Sequence, residues 1–355
     1  MNYDSTGMPA SFQARQPPAR ENTAMGVCNW MIRLWLVWGL VSLLNAQPKT
    51  ELPLRSSPDD VSSALVAQFD KFDLVALGEW HNTREDQDLR IRLVRHPHFA
   101  RKVRNVVVEC GNAFYQDILD RYVAGEDVAK QEVQRVWRDT TQSPVGGGDS
   151  PACEQFLNEV RSINRGLPKR LKIRVLAGDP PIDWTKVKST EDFLPFLRNR
   201  DEFPAQLIGR EVLGKREKAL VIYGGGHIWR RSVLNPAPNL ATLIDQASPG
   251  KLFTVVRLGG PFRDTAKLES LMPKAVRPVF LPLKGTPVGA LNVNEFIGRD
   301  VPVKLFPEGL GIAEVADACV YSGQAPDTLI GPNPSDAAYA AEKERRRTFL
   351  PRPRR

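Results

Sequence analysis

Four short apolar runs constrain this chain more than anything else in it. Each ends at a glycine or an acid and leads into a polar segment. Residues 73–77 (Asp-Leu-Val-Ala-Leu) stop at Gly78 and are followed by Glu79 and His81. Residues 105–109 (Asn-Val-Val-Val-Glu) end in Glu109, and residues 172–177 are closed by Gly178-Asp179. Residues 219–223 (Ala-Leu-Val-Ile-Tyr) run into Gly224-Gly225-Gly226 and then His227. Continuous apolar runs of this length read as strands buried on both faces of a parallel sheet. The segments between them are long enough to be crossover helices.

Apolar spacing places helices over residues 61–72, after His81 (Leu89, Leu93, Val94), over 112–124 (Phe114, Ile118, Leu119, Tyr122), and around Phe156, Leu157, Val160 and Ile163. Ser189 with Asp192 has the form of a capping box, a second helix is expected from Asp201 to about Gly214, and Asn239 caps one to about Gln246. A fifth strand is expected at 252–258 and a last one at 318–321, while the Pro-rich segment 259–315 gives no order. The fold class is therefore α/β: a mostly parallel sheet with helices on both faces, in a single large domain.

The ends of the chain read differently. Arg33, the apolar residues 34–44 and Ala46 form the pattern of a secretory signal peptide or an N-terminal membrane anchor over 1–46, with the true start possible at Met25. Residues 47–60 read as a linker and 61–333 as the domain. Export is the expected localisation, to a periplasm or cell surface, with membrane contact through residues 34–44. The net charge is +8, but residues 342–355 hold seven basic side chains against two acidic ones, five of the eight charges. Residues 334–355 read as a disordered basic tail, and a nucleic-acid partner is not expected. The four cysteines form no C-x-x-C, which disfavours a zinc knuckle or redox motif. Cys110 and Cys319 read as buried small hydrophobes.

In a parallel sheet the carboxyl ends of strands converge on one edge, where ligands bind. Two of the chain's four histidines and three acids fall at those ends. Glu79, His81, Glu109 and His227 are thus the candidate catalytic residues. Asp179, Arg84, Arg90 and Tyr115 are candidate ligand-binding residues, the arginines for holding carboxylates or an anionic substrate. His81 is the expected base, since an ordinary imidazole titrates near neutral pH. No G-x-S-x-G is present, which argues against a serine esterase.

Leu77-Gly78-Glu79-x-His81, Val106-Val107-Val108-Glu109, the stretch 116–126 and Tyr223-Gly224-Gly225-Gly226-His227 together resemble the superfamily of ChaN-type haem-uptake proteins, TIKI proteases and erythromycin esterases. The resemblance covers about residues 70–325 and is nearest the ChaN-type branch. It implies an α/β fold whose pocket binds haem or a divalent metal ion through Glu79, His81, Glu109 and His227. Its alternative implication is a metal- or His-assisted hydrolase of esters or peptides. Asn82-Thr83-Arg84-Glu85 departs from the Asp-Asn-Pro and paired histidines of ChaN-type sequences and favours the hydrolase. A small-molecule ligand is the expected partner, a non-catalytic scaffold is a third class, and the oligomeric state is open.

Overall fold

The computed structural model describes residues 57–351 except 146–148, 150, 234–236, 260–264, 273, 275, 297–304, 325–326, 332 and 334–335. The expected signal or anchor and linker residues 47–56 lie outside the described residues, while 57–60 of the expected linker instead cap and open the helix Pro58–Gln68. Those described fall in one compact unit, Pro53–Arg355, and contain no helix long and apolar enough to cross a membrane.

Seven strands form one sheet: β1 Leu74–Glu79, β2 Asn105–Asn112, β3 Arg174–Asp179, β4 Ala219–Gly224, β5 Leu252–Leu258, β6 Val279–Pro282 and β7 Ala318–Tyr321. The order is β3-β2-β4-β1-β5-β7-β6. All pairings are parallel except β6 with β7. The α/β expectation holds. The segment 259–315, unordered from sequence, supplies β6 as an antiparallel edge strand. Pro282 ends it and Pro278 precedes it, and proline belongs at such edges because it cannot donate to a ladder.

Alternation along each strand separates two cores. Val75, Leu77, Val106, Val108, Ile222 and Val255 point to one side, under the helices Pro58–Gln68, Arg84–Arg95, Gln116–Ala124, Lys130–Arg138 and Pro151–Gly166. Leu74, Ala76, Val107, Val221, Tyr223 and Val256 point to the other, under Glu202–Glu211, Leu240–Ala247 and Ile312–Val315. Ser189 and Asp192 do form a capping box on the helix Thr190–Arg198, and Asn239 caps Leu240–Ala247 through the Thr242 N–H. The helix expected from 112 begins later: β2 runs on to Asn112, a single 3-10 turn follows, and the α-helix starts at Gln116.

Two expectations are corrected. Cys110 is not a free hydrophobe but is joined to Cys153, tying β2 to the helix Pro151–Gly166. Cys319 is buried and free, as expected. The tail is also not disordered throughout, because Ala337–Arg347 is a helix packed on the domain. Arg346 is buried and donates to Asp139 Oδ1 (2.7 Å), Ser143 Oγ (2.9 Å) and the Arg138 carbonyl (3.0 Å). Phe349 and Leu350 pack against Ile182, Trp184, Val187 and Phe193. Its charges hid this role: composition reads seven basic residues as solvated, whereas one of them is a buried partner for a carboxylate.

Breaking a buried ion pair costs about 3–5 kcal/mol. Deleting residues 336–355 is therefore expected to lower the thermal unfolding midpoint by more than ~4 °C in a domain of this size. A midpoint unchanged by the deletion, measured by calorimetry, would mean that the helix does not dock in solution.

Candidate functional site

The carboxyl ends of β2, β4 and β1 are adjacent in the sheet, so the side chains at those ends meet. Glu79 is the last residue of β1, and the chain turns immediately afterwards at Asn82, whose backbone is left-handed (φ 59°), a conformation asparagine tolerates better than most residues. Glu109 sits within β2 where its register with β3 breaks, between Val108 and Asn112. Such irregularities re-aim side chains and recur beside active sites. His227 lies in the short helix Gly225–Ile228 that follows β4.

Glu109 is the centre. It is buried, at 3% exposure. His227 Nε2 lies 3.3 Å from Oε1 and His81 Nε2 lies 3.5 Å from Oε2. Gln142 Nε2 donates to Oε1 at 2.5 Å, the Gly224 N–H donates to Oε2 at 2.6 Å, and Arg200 pairs with Oε1. Each imidazole has a second carboxylate: His81 Nδ1 is 3.2 Å from Glu79 Oε1, and His227 Nδ1 is 2.6 Å from Asp201 Oδ1. Glu79 is held in turn by Arg90 Nη1 at 3.1 Å. The result is a chain of alternating charge, Asp201, His227, Glu109, His81, Glu79, Arg90, with Arg200 as a branch. Gly224 is required by this packing: a Cβ there would lie 2.6 Å from His81 Nε2.

The electrostatics follow from the alternation. Burial alone would raise the carboxyl of Glu109, but His227, His81 and Arg200 outweigh it and hold the group well below the usual range. Burial likewise pushes Glu79 up, and Arg90 and His81 bring it below its ordinary value. For His81, burial favours the neutral ring, yet Glu109 and Glu79 raise its pKa to about 9. For His227 burial is again overcome, by Glu109 and Asp201, and the value rises to about 10. Both shifts favour the protonated ring at neutral pH, where the sequence suggested an ordinary imidazole base. Asp179 lies beside the chain on β3 and is fully buried; burial lifts it to about 7 despite Arg200 and the Thr141 N–H (2.7 Å) and hydroxyl (2.5 Å) that bond it.

All four candidate catalytic residues therefore come together, with Arg90 in contact and Asp179 at the margin. Two others do not. Tyr115 is buried in the core, its hydroxyl between Asp139 Oδ2 (3.1 Å) and Arg135 Nη2 (2.6 Å). Its place one turn into the next segment pointed at the site, but the β2 extension carries it away. Arg84 is exposed at the first turn of its helix, with its backbone N–H bonded to the Thr328 carbonyl. Sequence reading missed Gln142, Arg200 and Asp201. Gln142 lies in a loop, and Arg200-Asp201 sits between two helices, where a charged pair reads as a solvated cap.

The cavity beside these residues is too small to bury a haem, and a divalent ion would have to compete with the donors already on Glu109. Both oxygens of Glu109 accept from donors, and a metal ion on either imidazole would have to release the ring's proton. Two guanidinium groups add further positive charge. Among the described residues no group of three or more His, Cys, Asp or Glu is arranged to hold a metal ion. The cavity at the site, lined by Glu79, His81, Asn82, Arg90, Glu109, Gln142 and the Cys110–Cys153 bridge, encloses about 50 Å³, against roughly 300–1,000 Å³ for pockets that bury cofactor-sized ligands.

The chain is thus an α/β protein with a histidine–carboxylate cluster at the carboxyl edge of a mostly parallel sheet. No family model matches it, and no curated protein matches its sequence. Among solved structures it is similar to a mutant of the erythromycin esterase EreC in its open conformation, with a TM-score of 0.56, 11% identity, and coverage of 79% of this chain and 99% of that one. It is also similar to a structure described as a succinoglycan biosynthesis protein, with a TM-score of 0.56, 10% identity, and coverage of 78% and 96%. At these identities the likeness is one of fold.

The two raised imidazoles make stability depend on pH. A group whose folded pKa lies above its unfolded value stabilises fully below the unfolded value, near 6.5, and loses that contribution as pH rises through the folded value. In Glu109→Gln the main cause of both shifts is gone. Urea unfolding should therefore show the variant less stable than wild type at pH 6, with the gap narrowing by pH 10. A gap that is constant across that range would mean that Glu109 does not set the two ring pKa values.

Proposed function

We propose that this protein is a metal-independent hydrolase in which His81 activates water for attack on an ester. The observation that carries the reading is the Glu79–His81–Glu109 arrangement. Glu79, fixed by Arg90, holds Nδ1–H and so sets the tautomer that leaves Nε2 as the reactive nitrogen. The Nε2 contact with Glu109 is the longer one, at 3.5 Å, and the His81 side chain is 45% exposed. It is the imidazole of the cluster that solvent reaches, since His227 is only 16% exposed.

In the neutral ring Nε2 takes a proton from water as the oxygen attacks the carbonyl carbon. The resulting imidazolium is stabilised by both flanking carboxylates and then protonates the departing alkoxide. His227 and Arg200, the cations paired with Glu109 Oε1, stabilise the charge developing on the carbonyl oxygen. The shared fold with an erythromycin esterase supports an ester as the substrate class. The Cys110–Cys153 bond supports export, since disulfides persist in oxidising compartments.

A base with a pKa of about 9 is neutral in roughly one molecule in a hundred at pH 7. The second-order rate on a panel of small esters such as p-nitrophenyl acetate should climb about tenfold per pH unit from pH 6 to 8 and level off near 9. It should survive a chelator, and His81→Ala should lower it by about 10²–10⁴-fold. Activity abolished by the chelator and restored by a divalent ion, or a rate that falls as pH rises through 9, would contradict the mechanism. No turnover of any ester would return the protein to the scaffold class.

A further inference from the structure

The loop after the helix Lys130–Arg138 reaches the site at two points. Gln142 donates to Glu109 Oε1, and Thr141 donates through both its N–H and its hydroxyl to Asp179. The other side of the same loop is held by the C-terminal helix Ala337–Arg347. Arg346 spans Asp139 Oδ1, Ser143 Oγ and the Arg138 carbonyl, at 2.7–3.0 Å. Arg347 Nε donates to the Pro144 carbonyl at 3.1 Å, and the Tyr339 hydroxyl donates to the Arg138 carbonyl at 3.1 Å. Residues 138–144 are therefore grasped at both ends by one helix from the far end of the chain.

We infer that the C-terminal helix is a strap that positions the site carboxylates, with Arg346 as a positioning residue acting through the 139–144 loop on Glu109 and Asp179. Arg346 is 3% exposed, and its guanidinium lies 4.8 Å over the Trp184 ring. The Trp184 Nε1–H and Asn112 Nδ2 both bond the Asp139 carbonyl, at 2.9 and 2.7 Å, so Asp139 is fixed through its backbone from one side and its side chain from the other. Removing Arg346 strands the buried Asp139 Oδ1 and takes one donor each from the Ser143 hydroxyl and the Arg138 carbonyl. Each buried acceptor left without a donor carries a desolvation cost, and the loop relieves it by moving toward water. Thr141 and Gln142 then leave Asp179 and Glu109. Arg346 itself touches neither carboxylate, so its effect on the site passes wholly through the loop.

Amide hydrogen exchange on the full-length protein reads this directly, because the Thr141 N–H is bonded to Asp179. In Arg346→Met the Thr141 amide should exchange about tenfold faster or more, while the sheet amide of Val221 stays within about a factor of two. Arg346→Lys, which keeps one donor group, should restore part of the protection. Tyr339→Phe removes only the hydroxyl that bonds the Arg138 carbonyl and Ser143, leaves Arg346 in place, and should give a smaller rise at Thr141. Unchanged Thr141 exchange in either variant, or a rise matched by Val221, would overturn the strap. The consequence for turnover rests on the hydrolase reading: Arg346→Met should lower kcat with little change in KM. A protein showing the exchange effect and no esterase activity would refute hydrolysis and leave the strap standing, so the two can fail separately.

Discussion

One desolvated carboxylate organises this molecule's functional edge. Glu109 sits where an unpaired anion would be prohibitively costly, and it persists because five donors surround it: two imidazoles, Arg200, Gln142 and the Gly224 N–H. The donors come from four parts of the chain, with the end of β4 supplying two of them. β1, β2 and β4 must lie side by side for His81 and His227 to reach the two oxygens of one carboxyl group, and the strand order provides that adjacency. Gly224 must lack a side chain for the approach to close. The break in register of β2 at this position turns the carboxylate toward the strand ends.

The alternation of charge has a chemical consequence. A carboxylate on each side of an imidazole makes the ring a stronger base and at the same time keeps it occupied by its own proton. His81 gains proton affinity from Glu79 and Glu109 and is rarely neutral at pH 7. His227 is held more firmly still, because Asp201, which also accepts from the Leu240 N–H at 2.8 Å, bonds its other nitrogen.

The sequence placed the sheet and the four central residues because both signals are local. A buried strand is a continuous apolar run, and the polar residue after it is visible as an interruption. Glu79, His81, Glu109 and His227 were legible for that reason. Gln142, Arg200 and Asp201 were not, since each reaches the site from a loop or a helix junction and nothing in the local pattern separates it from a solvated residue. The C-terminal helix failed for a related reason: Arg346 looks like its neighbours Arg345 and Arg347 in composition, and only its burial beside Asp139 distinguishes it. Tyr115 was misplaced by one structural detail, the continuation of β2 to Asn112, which shifts everything after it.

The bridging role of Glu109 is tested most directly by the imidazole nitrogen resonances of the chain's four histidines, followed with pH. Two rings, assigned to His81 and His227 by their loss in the alanine variants, should remain protonated through neutral pH and titrate well above 6.5, near 9 and 10. Both rings titrating near 6.5 would contradict the shared carboxylate and with it the site built around Glu109.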